Sequence, residues 1–169
     1  MPVKLGRELG LSSVDPYLHK LAGYVPACRK APLRLEVSVV LANSVVGRNL
    51  RLISPPTRAV SAGAIVELVC TTETACPDRV VHDVSYLCFA KALDSGVLVV
   101  GDLIGSTHLR GMVIGFNDDH APNHTNVVIA AARALPGREL DLEPEELIIV
   151  GARDFDGAHH PAIPPRNGK

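Results

Sequence analysis

"RVVHDVSYLCFAKALDSG", residues 79–96, admits two secondary structures, and the choice between them decides the fold. Wound as a helix, it places Val80, Val84, Leu87 and Ala90 on one stripe and meets a stop signal at Gly96. Extended as a strand, it places Val81, Asp83, Ser85, Leu87 and Phe89 on one face and Val80, His82, Val84, Tyr86 and Cys88 on the other. The concentration of β-branched and aromatic residues favours the strand. Asp94-Ser95-Gly96 then suits a hairpin turn into the following "VLVVGDLI".

Outward from this stretch the same texture continues. "LEVSVVL", "GAIVELVCT", "LRGMVIGF", "TNVVIAA" and "ELIIVGA" are short aliphatic runs, separated by turn chemistry at Ser54-Pro55-Pro56, Gly105-Ser106-Thr107, Pro136-Gly137 and Glu143-Pro144. Short strands at such spacing predict a mainly β fold, a six- to eight-stranded antiparallel barrel over residues 35–151, whose closure removes exposed edges. Residues 1–34 are expected to form an arm, with a short helix after Asp15 and Pro16, that can pack on a second copy in a homo-oligomer. The proline-rich residues 152–169, with His159 and His160, are expected to form a flexible tail.

A chain of 169 residues fits one domain, and 47% hydrophobic with 21% charged residues describes an ordinary globular protein. No apolar run approaches the roughly 18 residues of a spanning helix, and the amino terminus lacks the apolar core of a secretory signal, so no membrane association and a cytoplasmic location are expected. A net charge of −1, no tryptophan, three tyrosines and three phenylalanines argue against nucleic acid as partner. Cys28, Cys70, Cys76 and Cys88 form no CxxC pair; Cys70 and Cys88 read as buried core residues and Cys76 as a loop thiol.

The polar exception is "GFNDDHAPNHTN", residues 115–126, set between two apolar runs. Turn preference accounts for its Asp and Asn residues, and Asn117, Asp118 and Asn123 bonding their own backbone around Pro122 would make it a capping loop. It does not account for two histidines. His120 and His124, oriented by Asp118 and Asp119, are the candidates for proton transfer near neutral pH. Asn123, Asn126, Arg110, His108 and Asp102 are candidates for binding substrate. If a divalent metal is present, His120, His124 and Asp118 are its expected ligands; Pro122 makes a helical His-x-x-x-His pair improbable.

"GFNDDHAPNHTNVVI", with the upstream "VSYLCFAKALDSGVLVVGD", resembles the signature of a small bacterial domain-of-unknown-function family. That signature starts Gly-Phe-Asp and has a His-x-Pro-Asn-His-x-Asn core. The resemblance covers residues 79–130, with Asn117 standing where the family carries aspartate, and it implies that the loop is a site without implying a chemistry. A more distant resemblance, of "DDHAPNHTN" to the Gly-His-x-Asn-Asn run of hotdog-fold thioesterases, implies acyl-thioester hydrolysis; in that fold a long helix follows, whereas here Pro136 and Gly137 interrupt.

Walker, GxGxxG and GxSxG motifs are missing from the sequence, so no nucleotide cofactor is expected. The leading expectation is a small-molecule enzyme working by acid–base catalysis, of lyase, isomerase or cyclase type. The alternatives are a metal-dependent enzyme at the same loop and a non-catalytic ligand-binding barrel.

Overall fold

Leu33, Leu35 and Val37 point inward from the first strand and Arg34 and Glu36 point away, the period of two that an amphipathic strand imposes. The computed structural model describes residues 30–151. Its strands are β1 (Leu33–Val40), β2 (Ser44–Val45), β3 (Leu50–Arg51), β4 (Thr57–Val60), β5 (Ile65–Thr71), β6 (Val80–Val81), β7 (Val84–Ala92), β8 (Gly96–Val99), β9 (Leu103–Gly105), β10 (Arg110–Asn117), β11 (Thr125–Ala130) and β12 (Leu147–Gly151), with one 3-10 turn at Gly137–Leu140. The expected arm and tail lie outside the described residues apart from residues 30–34, and β1 begins two residues before the expected barrel boundary at Leu35.

Seven strands close on themselves in the order β1, β12, β9, β10, β11, β5, β7 and back to β1. The mainly β barrel is therefore present. It is antiparallel at every seam except β5 with β11, which run parallel, Thr125 opposite Val66 and Asn126 opposite Glu67. Register shifts in β1, β5 against β7, and β10 supply the bulges that bend flat strands into a closed wall. Leu35, Leu68, Leu87, Val113, Phe116, Val127, Ile129 and Ile148 fill the interior.

A second apolar layer lies outside the wall. Leu50, Leu52 and Val81, from the small β3–β6 sheet and its flank, pack on Val69, Ile114 and Val128, which alternate with the interior residues and face outward. Gly115 permits this approach, because a Cβ there would stand 2.7 Å from the Leu52 side chain.

Residues 79–96 are strand, as expected, with three differences. The expected alternation of faces fails at the register shift against β5, so Leu87 and Cys88 both join the interior while Phe89 turns to His124. Extended structure breaks at His82 and Asp83, whose backbone N–H groups donate to Glu73 Oε1. The Asp94-Ser95-Gly96 turn does not make a hairpin: β7 pairs with β5, β1 and β2, whereas β8 leaves the barrel wall to pair with β4. The turn is held instead by Arg34, which bonds Asp94 through its backbone and its guanidinium. No α-helix occurs among the described residues, so the long helix of a hotdog fold has no counterpart there. Among the described residues no helix is long and apolar enough to cross a membrane.

Candidate functional site

The polar loop, residues 118–124, joins β10 to β11 and is fixed at its base and on its flanks. At the base, buried Asn117 donates from Nδ2 to the Arg51 carbonyl, and its Oδ1 accepts from Asp119 N and Asn126 Nδ2. On one flank Arg58 of β4 donates to Asp118 Oδ1 and to Thr125 Oγ1, each at 2.8 Å. On the other, Arg48 donates to Asp119 Oδ2 at 3.1 Å and to Tyr86 Oη at 3.2 Å. Turns from Asp118 O to Ala121 N and from His120 O to Asn123 N shape the tip, where the Ala121–Pro122 peptide is cis.

This scaffold directs both histidines back over the outer face of the sheet. His124 has a nearly buried side chain, packs edge-on against Phe89 of β7 with ring centroids 5.1 Å apart, and stacks with the exposed His120 at 4.9 Å. Beneath them stands Glu67 of β5, 6% exposed. Val66 and Leu68 belong to the interior core, so period two turns Glu67 to the outer face beside its register partner Asn126. His124 Nε2 lies 3.3 Å from Glu67 Oε2, yet the approach is not a hydrogen bond, and Nε2 is a buried polar atom without a partner. Asn126 Oδ1 is a second such atom. One ligand atom each from Glu67, His120 and His124 lies within 4.8 Å of the others.

The structure thus brings together His120, His124, Asn123 and Asn126 from the expected set, with Asn123 Nδ2 2.8 Å from His124 Nδ1. Asp118 and Asp119 face arginines rather than the imidazoles, and Glu67 supplies the carboxylate that sequence reasoning assigned to them. Arg110 begins β10 and lies about 23 Å of strand away from Asn117 at its end. His108 pairs with Glu146 at 3.1 Å, and Asp102 is buried in a turn where it accepts from Val99 N and pairs with Lys30. The sequence signal for Glu67 was a lone carboxylate inside the aliphatic run "GAIVELVCT", costly to bury without a partner or ligand.

Thiol chemistry is remote from this picture. Burial holds the Cys70 thiol up at about 11, and burial followed by the charges of Glu146 and Glu67 pushes Cys88 up to about 12, so both stay protonated near neutral pH.

A family model described as a family of unknown function, DUF6917, matches residues 27–151. The chain belongs to that family. No curated protein and no solved structure is detectably similar to it.

Proposed function

Since membership of a family of unknown function carries no chemistry over, we propose from the site itself that the protein is a small-molecule enzyme whose reaction centre is Glu67, His120 and His124 on the outer face of the barrel. The reaction class is proton transfer on an organic metabolite, of lyase, isomerase or cyclase type. The observation that carries this reading is the convergence of two imidazoles and a buried carboxylate whose neighbouring polar atoms, His124 Nε2 and Asn126 Oδ1, lack partners. An unmet buried polar group costs about 1–3 kcal/mol, a cost that a bound ligand recovers.

The roles follow from exposure. His120 stands at the entrance, in contact with solvent, and exchanges the proton. His124 is held by Phe89, Asn123 and Glu67 and orients the reacting group. Asn126 has its amide nitrogen engaged by Asn117, which leaves its oxygen to accept, so the substrate offers a hydroxyl or an amine there. A passive binding barrel is less well supported, because aliphatic side chains occupy the interior that such a binder uses. Cys70, Cys76 and Cys88, which form no disulfide with one another among the described residues, favour a cytoplasmic setting.

The test is a thermal-shift screen of small polar metabolites, followed by turnover of any that stabilise the protein. His120→Gln should slow turnover by about 100-fold or more while leaving the melting temperature unchanged. Full turnover in this variant would remove the reaction centre from the loop.

A further inference from the structure

We infer that Glu67, His120 and His124 form the binding site of a divalent transition-metal ion of the zinc class. The inference rests on the reaction centre just proposed and revises one role in it: a His120 that ligates the ion would no longer exchange the proton itself, and the ion it helps to hold would polarise the reacting group instead. Its first support is the contact between His124 Nε2 and Glu67 Oε2: at 3.3 Å the two atoms are close, but they are not aligned as donor and acceptor. Donors bound about 2.0–2.2 Å from one ion sit roughly 3.0 Å apart at octahedral angles and roughly 3.4 Å apart at tetrahedral ones. The pair already has the spacing of two ligands sharing an ion. His120, exposed and stacked on His124, offers the third donor, since one ligand atom from each of the three residues lies within 4.8 Å of the others.

The second support is charge. Glu67 is a buried carboxylate, and among the described residues its ion-pair partner is His124, with no lysine or arginine in reach. Removing a carboxylate from water without a cation is costly, and a divalent ion removes that cost. The third is Asn126: its orphaned Oδ1, on the strand next to Glu67, is an acceptor for a proton of ion-bound water.

Two imidazoles with one carboxylate select a first-row transition ion over magnesium or calcium, which prefer oxygen ligands. Three protein ligands, one of them at the surface, leave coordination positions open to solvent, the pattern of a catalytic site rather than a closed structural one. Asn123 sets the imidazole for this role. With its amide nitrogen towards His124 Nδ1, as in the structure, the neutral ring keeps its proton on Nε2; a half-turn of the amide presents the carbonyl oxygen, moves the proton to Nδ1 and frees the Nε2 lone pair for the ion.

Full-length, untagged protein stripped by chelator and titrated with zinc chloride, and in parallel with magnesium chloride, tests this by calorimetry and elemental analysis. The expected result is close to one zinc per chain, no comparable magnesium binding, and zinc affinity lowered by about tenfold or more in His120→Ala and in Glu67→Gln. His120 is exposed, so its variant should melt like wild type in the absence of zinc, which separates lost ligation from lost folding. A His159→Asn, His160→Asn double variant should keep the zinc. Absence of stoichiometric zinc, equal magnesium binding, or zinc retained unchanged in both site variants would overturn the inference. Loss of turnover in His120→Gln without any zinc binding by wild type would overturn the metal site and leave metal-free proton transfer standing; zinc binding by wild type with undiminished turnover in that variant would leave the metal site standing and remove the reaction centre from the loop.

Discussion

Asn117 is buried and uses both ends of its amide, donating to the Arg51 carbonyl and accepting from Asp119 N and Asn126 Nδ2. An aspartate keeps the acceptor and loses the donor, setting a carboxylate oxygen against a carbonyl oxygen. Asn117→Asp should therefore cost about 1–3 kcal/mol in denaturant unfolding near neutral pH; an unchanged midpoint would show that the Arg51 contact is dispensable. Asn123 separates structure from chemistry in another way. Asn123→Ala, at an exposed position, should leave the melting temperature alone and weaken zinc by about tenfold or more, whereas Asn123→Asp, which accepts from Nδ1 without needing to flip, should retain it. Equal zinc affinity in all three proteins would remove Asn123 from the site. At this scale the sequence exposes two of the three members of the centre: two histidines in a turn exceed what turn preference needs, so His120 and His124 stand out. Glu67 shows only as a lone carboxylate in an aliphatic run and cannot be joined to them, because its partners lie more than fifty positions along the chain and only the parallel pairing of β5 with β11 sets it beside Asn126.

Loop 118–124 is held from outside by two arginines on otherwise unrelated segments. Both pairs are partly exposed, so each contributes at most about 1 kcal/mol to global stability. Their effect is local: Arg58→Ala releases Asp118 and Thr125 together, and amide hydrogen exchange in residues 118–124 should quicken while the barrel strands keep their protection. Exchange unchanged in the loop would mean that Arg58 is dispensable and that Asn117 and Arg48 suffice to hold it. The β7–β8 turn has its own clasp. The Arg34 guanidinium, hydrogen-bonded to Asp94, holds that carboxyl down at about 2, against an ordinary value of 3.8. A depressed folded value contributes stability that is present in full above the ordinary value and is lost as pH falls through about 2. An NMR titration should find the Asp94 midpoint near 2 in wild type and raised towards the ordinary value in Arg34→Gln, without reaching it, because the backbone N–H of residue 34 still donates to the carboxylate. The strand character of residues 79–96 was readable because side-chain type and period agree there. The partner of each strand was not, because the Asp94-Ser95-Gly96 turn fits a hairpin locally while β4, far back in the chain, takes β8.

Closure is the property of the whole molecule, and it runs through β1. One edge of that strand pairs with β12, Leu33 opposite Val150, and the other with β7, Leu35 opposite Ala92, so the first and last described strands seal the wall. Leu35 is fully buried at this seam, and Leu35→Ala should cost about 2–5 kcal/mol. A truncation series asks the larger question. A chain starting at Lys30 keeps every strand of the ring and the Lys30–Asp102 pair, and should retain the β-type circular dichroism and a single cooperative melt. A chain starting at Leu41 loses β1, opens two neighbouring edges and exposes the core that Leu33, Leu35 and Val37 cover, so it should aggregate or melt without cooperativity. If the shorter chain still melted cooperatively at the wild-type temperature, the remaining strands would form a stable open sheet, and closure would not be what holds β5, β7 and β11 in the register that brings Glu67 beneath the two histidines.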